Sequence, residues 1–214
     1  YEGPLPDASI AFTFDDGWLS VYQKAFPIFS QCGAVGTVFV IVEQIGKEGF
    51  MSWQQLQDLQ NNHWEIASHG MKHIMLVGLS DEELIREIKG SKDELTKKGF
   101  PVVSFAVPYG IYDERVIEII SQYYLAHRTI DPGINYKPFD VFKMKAYDVE
   151  KEKLNLDSIF KLIKQTKDTK GHLILVFHKI DEEGEYSFPA WKLEAICQYA
   201  KAQGFELFKI QKMK

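Results

Sequence analysis

The 214-residue sequence predicts an α/β domain whose parallel strands, joined by helical crossovers, curl into a distorted (β/α) barrel of about seven strands. Three observations predict it. Short apolar runs alternate with stretches of helical spacing along the chain, and no internal repeat or low-complexity segment interrupts them. With seven or eight such runs, a barrel is expected over an open sheet. Polar clusters follow directly after several runs, at the strand ends where barrels of this kind carry their working residues.

Taken in order, strands are expected at 10–14, 37–42, 64–67, 102–107, 124–127, 143–147, 173–177 and 205–208. Ser52 is placed to cap a helix over 53–60. Ser80 followed by Glu83 forms a capping box ahead of Leu84, Ile85 and Ile88, and Gly99 ends that helix. Asp113 is placed to cap a helix over 114–121. Segments 154–167 and 190–203 carry apolar residues at helical spacing, and Gly204 closes the second before the final strand.

The length suits one domain, residues 1–214, with a sizeable core. Hydrophobic content of 45% and aromatic content of 14% exclude a disordered chain. A net charge of −5 argues against nucleic acid as a partner. The longest nearly apolar run, 34–42, is far too short to cross a bilayer. The chain opens at Tyr1 with neither methionine nor signal peptide, as a processed or trimmed form would. Cys32 and Cys197 lack metal-site spacing and are either paired or free.

Chemistry is concentrated in four clusters. "IAFTFDDGW" sets Asp15 and Asp16 side by side at the end of the first strand, where two like charges need a nearby cation or a division of labour. "SHGMKH" places His69 and His73 four residues apart, on one face if the segment turns helical. Two such histidines and a carboxylate from another strand end make a three-ligand metal site with an open position. In "SFAVPYG", Pro108, Tyr109 and Gly110 fix a tight turn whose backbone N–H groups can face the barrel mouth. In "HLILVFHK", His178 emerges from a fully apolar strand, well placed for proton transfer.

In this order the clusters resemble the motifs of the polysaccharide deacetylases, the carbohydrate esterases built on the NodB homology domain. "TFDDG" matches the first motif and "HGMKH" the second, with Gly70 where the family has serine or threonine. "VPYG" keeps part of the third and "LILVFH" matches the fifth, so the likeness spans roughly 9–209. It implies a NodB-like distorted barrel and a hydrolase that removes acetyl groups from an acetylated polysaccharide. The bond would be an N-acetylglucosamine-type amide or an O-acetyl xylan ester. Asp16, His69 and His73 would bind a divalent metal, zinc by default for this donor set, with cobalt or nickel able to replace it. Asp15 would be the general base for metal-bound water, and the Tyr109 backbone N–H would stabilise the oxyanion. His178 would be the general acid. Family members mostly act outside the cytoplasm, which implies an extracytoplasmic placement.

Two departures matter. The third motif's arginine, which orients the catalytic aspartate, is replaced by Ala106, and Arg128 in "AHRTID" is the expected substitute. The fourth motif, D-x-x-D-W, is largely absent. Asp131 in "DPGIN" is the expected support for His178, with Asp148 as the alternative. Trp18, Pro108 and Tyr109 are candidate sugar contacts at the mouth. His63, His127 and His172 read as structural or exposed. The departures keep a second reading open, a carbohydrate-binding pseudoenzyme that retains the metal site.

Overall fold

The computed structural model describes residues 6–150 and 153–213. Its strands are β1 (Ser9–Phe14), β2 (Thr37–Val40), β3 (Glu65–Ser68), β4 (Ser104–Ala106), β5 (Ala126–Arg128), β6 (Tyr147–Asp148), β7 (His172–Phe177) and β8 (Leu207–Phe208). The sheet runs β5-β4-β3-β2-β1-β7-β6, and every pairing in it is parallel. It curls into a half-barrel, an opened form of the distorted barrel that was expected. Among the described residues, β5 meets the segment leading into β6 through an isolated bridge, Arg128 to Met144, and its flanking backbone hydrogen bonds. β8 pairs with the first half of β1 at Ile10 and Ala11, while β2 pairs with its last residues, Thr13 and Phe14.

The helices are α1 (Phe26–Cys32), α2 (Trp53–Asn61), α3 (Asp81–Lys97), α4 (Glu114–Tyr123), α5 (Leu156–Asp168) and α6 (Ala190–Ala202). Ser52 and Ser80 both head full capping boxes, with Gln55 and Glu83, and Asp113 accepts from the Val116 N–H at 2.8 Å. Asn155 caps α5, two residues inside the expected start. α1, with the π turn Val21–Ala25 before it, had no expected counterpart. Most expected strands are shorter than their apolar runs. Of the 143–147 run, the bridge at Met144 and Tyr147 at the start of β6 remain, with Lys143 and Lys145 interrupting its apolar pattern.

Strand alternation sorts side chains between two cores. Ile10, Phe12 and Phe14 face the helices, where Phe14 stacks between Phe177 and Trp64 at 5.7 and 5.6 Å. Ala11, Ala67, Ala106 and Ala126 line the concave side with Phe39, Ile174 and Val176. So many alanines let the strands curl tightly. The C-terminal Ile210 and Met213 plug the end beneath them. Asp15 follows Ala11 and Thr13 on the concave face, which aims it into the upper mouth of the half-barrel. Cys32 and Cys197 are free thiols facing each other between α1 and α6, and burial pushes the Cys197 thiol up.

Candidate active site

The adjacent acids are separated by backbone geometry. Asp15 still belongs to the β1–β7 ladder, its N–H bonded to the Phe177 carbonyl at 2.8 Å. Asp16 then adopts a left-handed conformation, φ 70°, and Gly17 follows at φ 85°. A left-handed non-glycine residue is costly and tends to mark a functional site. Five of the seven such residues described, Asp16, His73, Tyr109, Lys153 and Tyr186, line one cleft of about 500 Å³.

Asp15 is 3% exposed, and its Oδ1 is ion-paired with the guanidinium of Arg128, itself 1% exposed. Burial pushes the Asp15 carboxyl up, but Arg128, His69 and His178 outweigh it and hold the group below the usual carboxylate range. Arg128 packs over the Phe39 ring at 4.9 Å. It is also the direct cross-strand partner of Ala106. Both residues lie on the concave side, so the small side chain at Ala106 leaves room for the cation that its neighbouring strand supplies.

Asp16 faces the histidines. Its Oδ1 lies 3.6 Å from His69 Nε2 and 3.5 Å from His73 Nε2, while Trp18 Nε1 donates to Oδ2 at 2.9 Å. Oδ1 is buried and has no hydrogen-bond partner. His69 Nδ1 lies 2.8 Å from the Ala106 carbonyl, which can only accept, so Nδ1 carries a proton and Nε2 is the nitrogen turned to Asp16. Burial, with His69 alongside, holds His73 below its ordinary range and so in the neutral form a ligand needs. An orphaned carboxylate oxygen beside two imidazoles fits a divalent cation by its donor chemistry. The histidines do not sit on a helix, as expected. They flank a loop, turned by Gly70 at φ 82° and His73 at φ 63°.

His178 follows β7. Glu150 spans it, accepting from the His178 backbone N–H at 3.3 Å and meeting Nδ1 at 3.4 Å. Burial alone would lower this imidazole; Glu150 and Asp15 overcome that and lift it to about 9. Glu150 therefore takes the place expected of Asp131, which instead accepts a hydrogen bond from the Tyr112 hydroxyl. Asp148 lines the same cleft and forms, with Glu150 and His178, a second group of closely spaced possible ligands.

Tyr109 stands at the rim, its ring 4.6 Å from that of His73 and its hydroxyl donating to the His73 carbonyl at 3.1 Å. Tyr186 stands across the cleft, 5.3 Å from the His178 ring. Both are 53% exposed, which leaves aromatic surface open on two sides. Tyr186 had no signal in the sequence. Trp18 is not an open wall: Phe50 stacks on it at 4.3 Å and the Lys179 ammonium lies 4.0 Å from its ring. Pro108 is buried and shapes the Tyr109 turn from beneath.

A family model for polysaccharide deacetylase matches residues 2–126, and the chain belongs to that family. YxkH of Bacillus subtilis (strain 168) is 28% identical over 128 residues, 58% of this chain and 45% of that protein. The poly-beta-1,6-N-acetyl-D-glucosamine N-deacetylase of Staphylococcus aureus (strain MRSA252) is 24% identical over 155 residues, 63% of this chain and 53% of that one. The chain thus spans about half the length of these curated relatives. A family 4 carbohydrate esterase from Streptomyces lividans, solved with acetate, superposes with a TM-score of 0.69 at 16% identity. It covers 98% of this chain and 96% of its own, and shares the fold.

Proposed function

We propose that this chain is a metal-dependent polysaccharide deacetylase acting on an N-acetylglucosamine-type polymer outside the cytoplasm. The observation that carries this reading is the divergence of Asp15 and Asp16. One carboxylate is locked to Arg128, while its neighbour turns an unsatisfied oxygen towards two imidazoles. The family match supports deacetylation, and the name of the Staphylococcus aureus relative supports an amide substrate over an acetyl ester.

Asp16, His69 and His73 would hold the metal, with zinc favoured by the donor set. When bound it would polarise the acetyl carbonyl and bring the pKa of water towards about 7. Asp15 accepts the proton of the attacking water, and Arg128 keeps that carboxylate ionised and aimed at neutral pH. The Tyr109 N–H would donate to the oxygen on which charge develops. His178, protonated below about 9, gives its Nε2 proton to the leaving nitrogen while Glu150 fixes its ring. Tyr109 and Tyr186 offer faces to sugar rings on either side. Arg128 and Glu150 fill the positions whose absence from the motifs favoured a pseudoenzyme, so the catalytic reading is preferred.

The test is acetate release by zinc-loaded protein from N-acetylglucosamine oligomers and acetylated xylan. Release from the amide substrate should fall about 10²–10⁴-fold in Asp15→Asn, the range of a lost general base. Release confined to xylan would replace the amide with the ester. No release from either substrate by metal-loaded protein would favour the binding protein.

A further inference from the structure

We propose that Glu87 is a positioning residue for the metal centre, a buried carboxylate that clamps the loop between His69 and His73. The proposal rests on the reading of those histidines, with Asp16, as metal ligands. Glu87 lies on the inner face of α3, outside every motif that the proposed chemistry uses, and is 4% exposed. A carboxylate that deep needs partners. Its Oε2 accepts from two successive backbone amides, Met71 N at 3.0 Å and Lys72 N at 2.9 Å. The preceding amide, Gly70 N, is taken by Ser68 Oγ at 3.2 Å, and Ser91 of α3 holds that hydroxyl at 2.8 Å.

Two successive N–H groups, Met71 and Lys72, following a left-handed glycine converge on one point and suit an anion. Glu87 supplies the anion, and charge-assisted bonds of this kind are about twice as strong as neutral ones. Gly70 sits at φ 82°, a backbone conformation that favours glycine, and packs directly against the Glu87 carboxylate. The same loop is tied on its other side, where Val42 N and Glu43 N donate to the Gly70 and Met71 carbonyls at 3.2 and 3.0 Å.

The consequence falls on His73. His69 is fixed by β3 and by the Ala106 carbonyl, whereas His73 hangs at the far end of the loop with a left-handed backbone and a side chain 24% exposed. The loop's shape, with the Tyr109 hydroxyl on the His73 carbonyl, brings its Nε2 within 3.5 Å of Asp16 Oδ1. Releasing Met71 and Lys72 frees that shape while leaving all three ligands present.

The test is zinc affinity of the full chain, measured by competition with a chromophoric chelator for wild type, Glu87→Gln, Glu87→Leu and Tyr124→Phe. Tyr124 donates to the Ile88 carbonyl at 2.9 Å and joins the Ser91–Ser68 hydroxyls that hold Gly70 N, so its variant loosens the packing of α3 while leaving the Met71 and Lys72 amides on Glu87. Glu87→Leu should weaken zinc binding by roughly 10–100-fold, the usual effect of losing an outer partner of a metal site. Glu87→Gln, which keeps one acceptor oxygen, should fall between it and wild type, and Tyr124→Phe should bind as wild type does. The visible spectrum of the cobalt-loaded Glu87 variants should also change, since one imidazole is displaced. Should Glu87→Leu not fold, the Gln variant decides alone. Wild-type affinity in both Glu87 variants overturns the clamp, as does an equal loss in Tyr124→Phe. A wild type that takes up no zinc overturns the metal reading itself and the clamp with it.

Discussion

Arg128→Ala is expected to lower acetate release about 10²-fold or more and to destabilise the fold by roughly 3–5 kcal/mol, the usual cost of stranding one member of a buried ion pair. Asp15 is 3% exposed, and without the guanidinium burial would push its carboxyl up towards the neutral, useless form. Register adds a sharper expectation. Ala106 pairs directly with Arg128 across β4 and β5, and both face the concave side. Ala106→Arg in the Arg128→Ala background should therefore return a cation to the same space and recover at least about tenfold of the lost rate. The Arg128 variant retaining wild-type turnover would refute the role assigned to this pair. A double variant no better than the single would refute the exchange of positions. Denaturant midpoints measured on the same preparations separate lost chemistry from lost fold.

The second large effect concerns the proton donor. His178 is lifted to about 9 by Glu150 and Asp15 against the opposing effect of burial. A group whose folded pKa lies above its unfolded value stabilises the fold below about 6.5, and that contribution fades as pH rises through the folded value. The same proton is the one donated to the leaving group, so turnover should decline on the alkaline side as His178 deprotonates. In Glu150→Gln the largest raising influence is lost. The histidine resonance of the metal-free chain should then titrate well below 9, and the alkaline limb of the rate profile should move down with it. His178→Asn should abolish that limb and cut the rate by roughly 10²–10⁴-fold. An unchanged His178 titration in Glu150→Gln would remove Glu150 from the site.

Much of this was legible in sequence, for physical reasons that differ by residue. The cap at Ser52 and the capping box at Ser80 are local chemistry and need no tertiary contact to be read. Asp15, Asp16, His69 and His73 are legible because each pair is contiguous or nearly so on the chain. α1 was missed because it is short, starts from a π turn and carries Pro27 in its first turn, leaving little amphipathic pattern. Glu150 lies in the short turn after β6, with nothing local to distinguish it from other acids. Asp131 matched a motif in linear order, yet the chain turns it towards Tyr112. Trp18 sits beside the acids in sequence, but Phe50 and Lys179, both distant along the chain, cover its ring. Arg128 could be named as a substitute for the missing arginine. Its register with Ala106 is a property of strand pairing that only the fold reveals.

Two groups of closely spaced ligands lie near the mouth, Asp16 with His69 and His73, and Asp148 with Glu150 and His178. The account assigns the metal to the first and proton delivery to the second, so the most direct test is where zinc binds. Anomalous diffraction at the zinc edge from zinc-loaded crystals should place one ion at about 2.0–2.2 Å from Asp16 Oδ1, His69 Nε2 and His73 Nε2, with none beside His178. An ion held instead by Asp148, Glu150 and His178 would contradict the account, because the residue assigned as the acid would then be a ligand.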